Sequence, residues 1–111
     1  IMKIFNYFIL IFTLTYNLFA NDLKPVNILE TSGGVTDLVL DKNRLLAATV
    51  NSTIDIFDIN SKEKIDTIKI PKIKDFLGDL IESKIYSTDI LGNKILILSQ
   101  GESGGRNLFI V

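Results

Sequence analysis

Residues 35–70 read VTDLVLDKNRLLAATVNSTIDIFDINSKEKIDTIKI, and this stretch decides the fold. Apolar and polar residues alternate along it in four short runs, and turn-forming Asn, Asp and Ser residues separate the runs. Alternation with a period of two, together with many β-branched residues, predicts antiparallel strands joined by short connections. The predicted strands are residues 35–40, 44–50, 53–59 and 64–70.

The same unit occurs a second time along the chain. Residues 41–49, DKNRLLAAT, align with residues 91–99, LGNKILILS, at an offset of 50 positions. After a two-residue insertion, Ile56-Phe57 aligns with Leu108-Phe109. Four strands in about 36 residues, repeated after about 50, are typical of β-propeller blades.

The sequence therefore predicts an all-β fold, the N-terminal part of a β-propeller at residues 21–111. Blade one lies at about 33–70, a connection at 71–84 and a partial blade two at 85–111. Because the chain stops within a predicted strand, we expect a fragment of about one and three-quarter four-stranded antiparallel blades.

The connection at residues 71–84 reads PKIKDFLGDLIESK. Pro71 suits the first turn of a helix, whereas Gly78 disfavours a helix interior. We expect either a short helix or an ordered loop over the seam between the blades, with its apolar side chains packed on the sheets. The apolar residues with helical spacing are Ile73, Phe76, Leu77, Leu80 and Ile81.

The first twenty residues, IMKIFNYFILIFTLTYNLFA, differ from the rest of the chain. Lys3 is their one charge, an apolar run follows it, and the small residue Ala20 ends the stretch. This layout is typical of a secretory signal peptide, and we expect a signal-peptide helix at residues 1–20 that is removed on export. An uncleaved anchor is the alternative, because the run approaches the ~18 apolar residues that span a bilayer. Membrane contact is expected only if this segment stays uncleaved.

Composition argues against several classes of function. The 111-residue chain has a net charge of −1, with no cysteine and no histidine. A nucleic-acid-binding protein would carry a basic stripe, which this sequence lacks. Without cysteine there is no disulfide framework and no thiolate metal site. The acidic residues show no EF-hand spacing and the glycines form no phosphate loop, so we expect no metal and no cofactor.

Residues 101–105, Gly-Glu-Ser-Gly-Gly, look like the surroundings of a catalytic serine. A serine hydroxyl needs a base to act as a nucleophile, usually histidine, and the chain has none. Lys84 or Lys94 would have to lose its proton in a desolvated site to replace it. We therefore interpret the stretch as a strand-to-strand loop, in which the three glycines supply positive φ.

Pairs of acidic residues offer another route to catalysis. The pairs are Asp55 with Asp58, Asp75 with Asp79, and Asp89 with Glu102. General acid–base chemistry needs two carboxyls that converge on a pocket. Asp55 and Asp58 are predicted on opposite faces of a strand, and nothing forces the other pairs together. We predict no catalytic residues and expect a non-enzymatic protein.

Mixed charges in the loops predict a surface that contacts a protein partner, since propellers present such loops at their rims. A solvated rim is the alternative for each of these residues. The candidate contact residues are Lys72, Lys74, Asp75, Asp79, Glu102, Ser103 and Arg106.

Three stretches together resemble the NapL-type accessory proteins of the periplasmic nitrate reductase system of epsilonproteobacteria, a family of WD-like β-propellers. They are IDIFDINSKEKIDTIKIPKIKDFLGD at 54–79, KIYSTDILGNKILILSQGESGG at 84–105 and RNLFIV at 106–111. The resemblance covers residues 30 to 111 and is most specific at 71–76 and 98–104.

The resemblance implies a periplasmic, non-catalytic protein that supports nitrate respiration by contacting components of the periplasmic nitrate reductase. It transfers no catalytic residue to this chain. Two alternatives stay open at this point: a generic periplasmic propeller for envelope assembly, and a propeller hydrolase whose site lies in missing blades.

Overall fold

A computed structural model of the protein describes residues 23–111. The predicted signal peptide at residues 1–20 lies outside them. Within the described residues the chain forms antiparallel β-strands and one short 3-10 turn, without an α-helix. The predicted all-β class is confirmed.

Sheet one is a four-stranded meander in which each strand pairs with the next along the chain. All four predicted strands are confirmed, and alternate residues of each strand point to opposite faces of the sheet. One face, with Ile54 and Ile56, packs inward; the other face includes Asp55 and Phe57. The strands are β1 Val35–Asp41, β2 Arg44–Thr49, β3 Thr53–Asp58 and β4 Lys64–Lys69.

The connection at 71–84 is a β-hairpin, so the helix alternative is wrong. Strand β5 (Ile73–Lys74) pairs with β6 (Leu80–Ile81) in an antiparallel manner. The turn between them favours this structure because Gly78 has φ of 86° and the Asp75 carboxylate binds the backbone N–H of Leu77. Such side-chain bonds compete with helical hydrogen bonds.

Sheet two contains β7 (Ile85–Leu91), β8 (Lys94–Gln100) and β9 (Arg106–Ile110), again in meander order. Its first two strands repeat the register of β1 and β2 at an offset of 50 in every pair. Even the irregularity coincides, since the register shifts between Val35 and Asp37 and again between Ile85 and Ser87.

The pairing of the third strand in each sheet shows that the sequence alignment of Ile56-Phe57 with Leu108-Phe109 is wrong. Leu98 pairs with Leu108, whereas the corresponding residue of β2, Ala48, pairs with Ile54. The offset between β3 and β9 is therefore 54 positions, and the insertion before β9 has four residues, not two. Ile56 corresponds to Ile110 rather than to Leu108.

The hydrophobic core lies between the two sheets. Strand β7 packs against β1 and β2, and the N–H of Thr88 donates a hydrogen bond of 3.0 Å to the Asp37 carboxylate across the seam. Each fully buried isoleucine of this core stabilises the fold by about 1.5–3 kcal/mol. The core residues are Leu46, Ala48, Ile54, Ile56, Ile70, Ile85, Ile95 and Ile97.

Residues 31–34, which we call the strap, lie against the outer face of sheet one. The backbone N–H and hydroxyl of Ser32 donate hydrogen bonds of 2.6 and 2.7 Å to the two carboxylate oxygens of Asp55. Burial alone would raise the pKa of Asp55, but Ser32, the Lys64 ammonium 3.5 Å away and the Thr67 hydroxyl outweigh it and hold that pKa below its ordinary value. Asp55 therefore stays ionised although it is buried, and its carboxylate holds the strap in place.

Candidate functional site

Three loops meet at one end of the two sheets, because β2, β4 and β8 all run towards that end. They are the turn at 50–52, the connection at 71–84 and the loop at 101–105. The N–H of Ser83 donates a hydrogen bond of 2.6 Å to the Ser52 hydroxyl, and the Ser83 hydroxyl donates one of 2.6 Å to the carbonyl of Gln100. These bonds join all three loops into one surface, which we call the loop end.

The β5–β6 hairpin is the most prominent part of the loop end. Its turn is fixed by Asp75, whose carboxylate accepts hydrogen bonds of 2.9 Å from the N–H groups of Leu77 and Asp79. The backbone N–H of Asp75 also donates to the carbonyl of Asp79 at 2.9 Å. The turn holds Phe76 and Leu77 in solvent, with exposed fractions of 97% and 86%.

The expected packing of these apolar side chains on the sheets is therefore wrong. Of the five residues with helical spacing, Ile73 alone is buried. Phe76 and Leu77 instead remain in contact with water on a turn that hydrogen bonds hold in place.

The loop at 101–105 faces the hairpin and contains the 3-10 turn Glu102–Gly104. It is closed by hydrogen bonds from Gly101 N–H to the Gly105 carbonyl at 2.9 Å and from Gly105 N–H to the Glu102 carbonyl at 3.0 Å. The loop prediction is confirmed, but the predicted role of the glycines is only partly right. Positive φ occurs at Ser103 (54°) and Gly104 (77°), whereas Gly101 and Gly105 are extended.

Gly101 is required for a different reason. A Cβ atom at this position would lie 3.0 Å from the carbonyl carbon of Gly105, closer than side chains normally approach backbone. The two ends of the loop can cross at this distance because neither carries a side chain.

A cleft of about 370 Å³ separates the hairpin from the loop at 101–105. The backbone N–H of Lys74 donates a hydrogen bond of 3.1 Å to the Glu102 carboxylate, which joins the two walls. The hairpin wall contains both apolar and charged residues, and the other wall contains polar residues and glycines. The lining residues are Ile73, Lys74, Asp75, Phe76, Ile81, Gln100, Gly101, Ser103 and Gly104.

The structure brings together four of the seven predicted contact residues. Lys74, Asp75 and Ser103 line the cleft, and Glu102 binds across it. Asp79 lies at the base of the hairpin turn.

The other two predicted contact residues are engaged by neighbouring side chains. Lys72 forms an ion pair of 3.7 Å with Glu82. The Ser52 hydroxyl, with Lys69 and Lys72, holds the pKa of the Glu82 carboxyl below its ordinary value against the effect of burial. The Arg106 guanidinium stacks on Tyr86, 4.6 Å from the ring centre.

The carboxylates considered for catalysis have separate structural tasks. Asp55 binds the strap, and Asp58 accepts hydrogen bonds from the N–H groups of Asn60 and Ser61 in the turn after β3. Hydrogen bonds from Ser61 and Asn60 lower the pKa of Asp58. Among residues 23–111, no three acidic side chains cluster closely enough to hold a metal ion. No helix in that range is long and apolar enough to cross a membrane.

The sequence did not identify Phe76 and Leu77 as surface residues. Their helical spacing with Ile73 and Leu80 predicted burial instead. The signal that indicates a turn is the pattern Asp75-Phe76-Leu77-Gly78-Asp79, with an aspartate before the apolar pair and a glycine after it. That pattern predicts a tight turn that carries its apolar residues outward.

Comparison with known proteins gives a similarity of fold. No protein-family model matches the chain, and no curated protein matches it in sequence. Solved structures similar to it include a computationally designed protein, Ika4, with a TM-score of 0.54 and 15% sequence identity. The alignment covers 80% of this chain and 48% of Ika4, so the chain matches about half of the designed protein's length.

Proposed function

We propose that sheets one and two are consecutive blades of a β-propeller, and that the protein binds a protein partner through its loop end without catalysis. The repeated register supports the propeller. Two antiparallel meanders with the same strand pairing pack face to face, and their first strands lie side by side at the seam. Propeller blades are packed around a central channel in this manner.

One observation carries the proposal of partner binding: Phe76 and Leu77 are almost fully exposed on a turn that Asp75 holds in place. Aromatic residues, including phenylalanine, are enriched at the cores of protein interfaces. A turn that is already ordered loses little conformational entropy when a partner covers it. The surrounding Lys74 and Glu102 provide a polar rim around the apolar pair.

The proposed partner is a component of the periplasmic nitrate reductase, and the proposed location is the periplasm. The resemblance of residues 30–111 to NapL-type accessory proteins supports both statements. The proposed role is accessory, in support of nitrate respiration.

The test is capture of reductase subunits from the periplasm of nitrate-grown cells by the tagged protein. Wild-type protein is expected to retain the subunits, and the double variant Phe76→Asp/Leu77→Asp to retain at least about tenfold less, because each aspartate opposes burial of the tip. Ile65→Asp is the matched control: Ile65 is 53% exposed on β4, near the end of sheet one away from the loops. Capture that is equal for all three proteins, or absent from the wild type, contradicts the proposal.

A further inference from the structure

Within residues 23–111, the outer face of sheet two carries an exposed apolar surface. Leu98, Leu108 and Ile110 are exposed by 36%, 66% and 61%. The repeated register identifies their counterparts in sheet one as Ala48, Ile54 and Ile56. Those three residues are buried beneath sheet two. The outer face of sheet two is therefore equivalent to a face that another sheet covers within this chain.

The outer face of sheet one provides the complementary surface. Leu38 and Leu40 in β1 are exposed by 57% and 66%. Their counterparts in β7 are Thr88 and Ile90, at an offset of 50, and both lie on the side of sheet two that faces sheet one. The strap binds Asp55 in β3. It therefore leaves these β1 leucines in solvent.

The shape of sheet two agrees with this pairing. A concavity of about 220 Å³ lies on its outer face, over β7, β8 and β9. At the equivalent place on sheet one, Leu46 and Ala48 belong to the core cluster that contains Ile85 and against which Ile90 packs. The concavity is lined by the outward-facing Ser87, Asp89, Leu96, Leu98 and Leu108, and by Thr88, which lies between Ser87 and Asp89 in the strand.

We infer that sheet two of one copy of this chain binds sheet one of a second copy, head to tail, in the arrangement that the two sheets have within one chain. Leu38 and Leu40 of one copy then fill the concavity of the next. The inference rests on the propeller architecture of the proposed function, but not on partner binding at the loop end.

A head-to-tail interface produces a ring when the rotation between units closes. Propellers have about 4–8 blades, so the ring closes when the associated copies together supply that many sheets. Burial of exposed leucine side chains drives the association, with about 1.5–3 kcal/mol for each side chain that becomes fully buried.

Light scattering during gel filtration of the purified chain, at several protein concentrations, measures the assembly. We expect a discrete oligomer for the wild type. Two single variants, Leu40→Asp and Leu108→Asp, each remove one of the two complementary surfaces and are expected to be monomers. Both positions are exposed within one chain, so circular dichroism and thermal melting should show an unchanged fold.

Mixing the two variants is the sharpest test. Each retains the surface that the other lacks, so a head-to-tail interface predicts a one-to-one complex that grows no further. Leu77→Asp, at the hairpin tip, serves as the control and should assemble like the wild type, which separates this interface from the partner site.

A monomeric wild type at every concentration would overturn the inference and would indicate that a different structure, such as a further sheet of a longer polypeptide, covers the face. An oligomer that survives Leu108→Asp, or variants that do not combine on mixing, would overturn it as well.

Discussion

Sheets one and two share a register but differ in what covers them. Asp55 in β3 corresponds to Phe109 in β9, because Asp55 pairs with Ala47 and Phe109 pairs with Ile97. In sheet one the strap covers this position with hydrogen bonds to a buried carboxylate. In sheet two the same position packs against the core. The two sheets therefore share their strand pairing. The residue type at an equivalent position differs because a hydrogen-bonding strap covers it in sheet one and the apolar core covers it in sheet two.

Ile54 and Leu108 occupy equivalent positions in the two sheets. Substitution of these two residues should give the largest difference in the free energy of unfolding. Ile54 is fully buried and Leu108 is 66% exposed. Ile54→Ala should lower the free energy of unfolding by about 3 kcal/mol, through lost burial and the cavity that remains. Leu108→Ala should lower it by less than about 1 kcal/mol, because the side chain is mostly in water. Urea denaturation measures both.

These denaturation experiments require dilute protein, in which the chain is monomeric. If copies associate as inferred, the effect of Leu108→Ala should increase with protein concentration, while that of Ile54→Ala should not. Equal losses of stability at high dilution would mean that the two faces are covered alike within one chain.

The next largest effect on the free energy of unfolding is expected for Asp55, the buried carboxylate of sheet one. Asp55→Ala leaves Ser32 and Lys64 without their partner, and we expect it to lower the free energy of unfolding by about 2 kcal/mol. Limited proteolysis should then cleave the strap near Ser32 faster than in the wild type. Thr67→Ala is the control, since its hydroxyl makes the longest bond to this carboxylate, 3.3 Å. A strap equally resistant in Asp55→Ala would show that the carboxylate does not hold it.

The same carboxylate should make stability depend on pH in the acid range. Because the pKa of Asp55 is lowered in the folded protein, its contribution is present above the ordinary aspartate pKa of about 3.9 and is lost as the pH falls below it. The difference in unfolding free energy between the wild type and Asp55→Asn should therefore shrink between pH 7 and pH 3. A difference that stays constant over this range would mean that folding does not shift this pKa.

The smallest effects on stability are expected in the turn that joins the first two strands of each sheet. Lys42 (φ 54°) and Gly92 (φ 59°) occupy equivalent left-handed positions. Gly92→Ala should lower stability by about 1 kcal/mol, since no other atom lies near enough to clash and the effect is conformational. Lys42→Gly should raise stability by about 0.5 kcal/mol. Thermal melting of both variants checks the signs, and two changes of the same sign would contradict the equivalence.

Alternation of apolar residues predicted the regular part of this fold. The strands of sheet one, and the repeat of DKNRLLAAT as LGNKILILS, depend on local patterns that the structure retains. The loop at 101–105 was predicted from its glycines and from the missing histidine. Lys74, Asp75, Glu102 and Ser103 were expected at a common surface and lie together at the cleft.

The remaining features depend on interactions that a sequence pattern does not contain. Helical spacing at 73–81 failed because the Asp75 carboxylate and Gly78 stabilise a turn, and because Glu102 binds the backbone of β5 from 28 residues away. The sequence alone indicates a two-residue insertion before β9, because the apolar residue and phenylalanine at 56–57 match those at 108–109. Pairing across the sheet, which fixes the register, makes it four.

The central claim is that sheet two repeats sheet one with a four-residue insertion that builds the loop at 101–105. Leu98 and Leu108 are then directly opposite at a non-hydrogen-bonded position, since Ile95 and Val111 exchange both backbone hydrogen bonds three residues away. The chain has no cysteine, so two can be introduced without interference. We predict that Leu98→Cys/Leu108→Cys forms an intramolecular disulfide under mild oxidation, because Cα atoms at such positions lie about 4.5 Å apart. Efficient bridging in Leu98→Cys/Arg106→Cys instead, the pair expected for a two-residue insertion, would contradict the account.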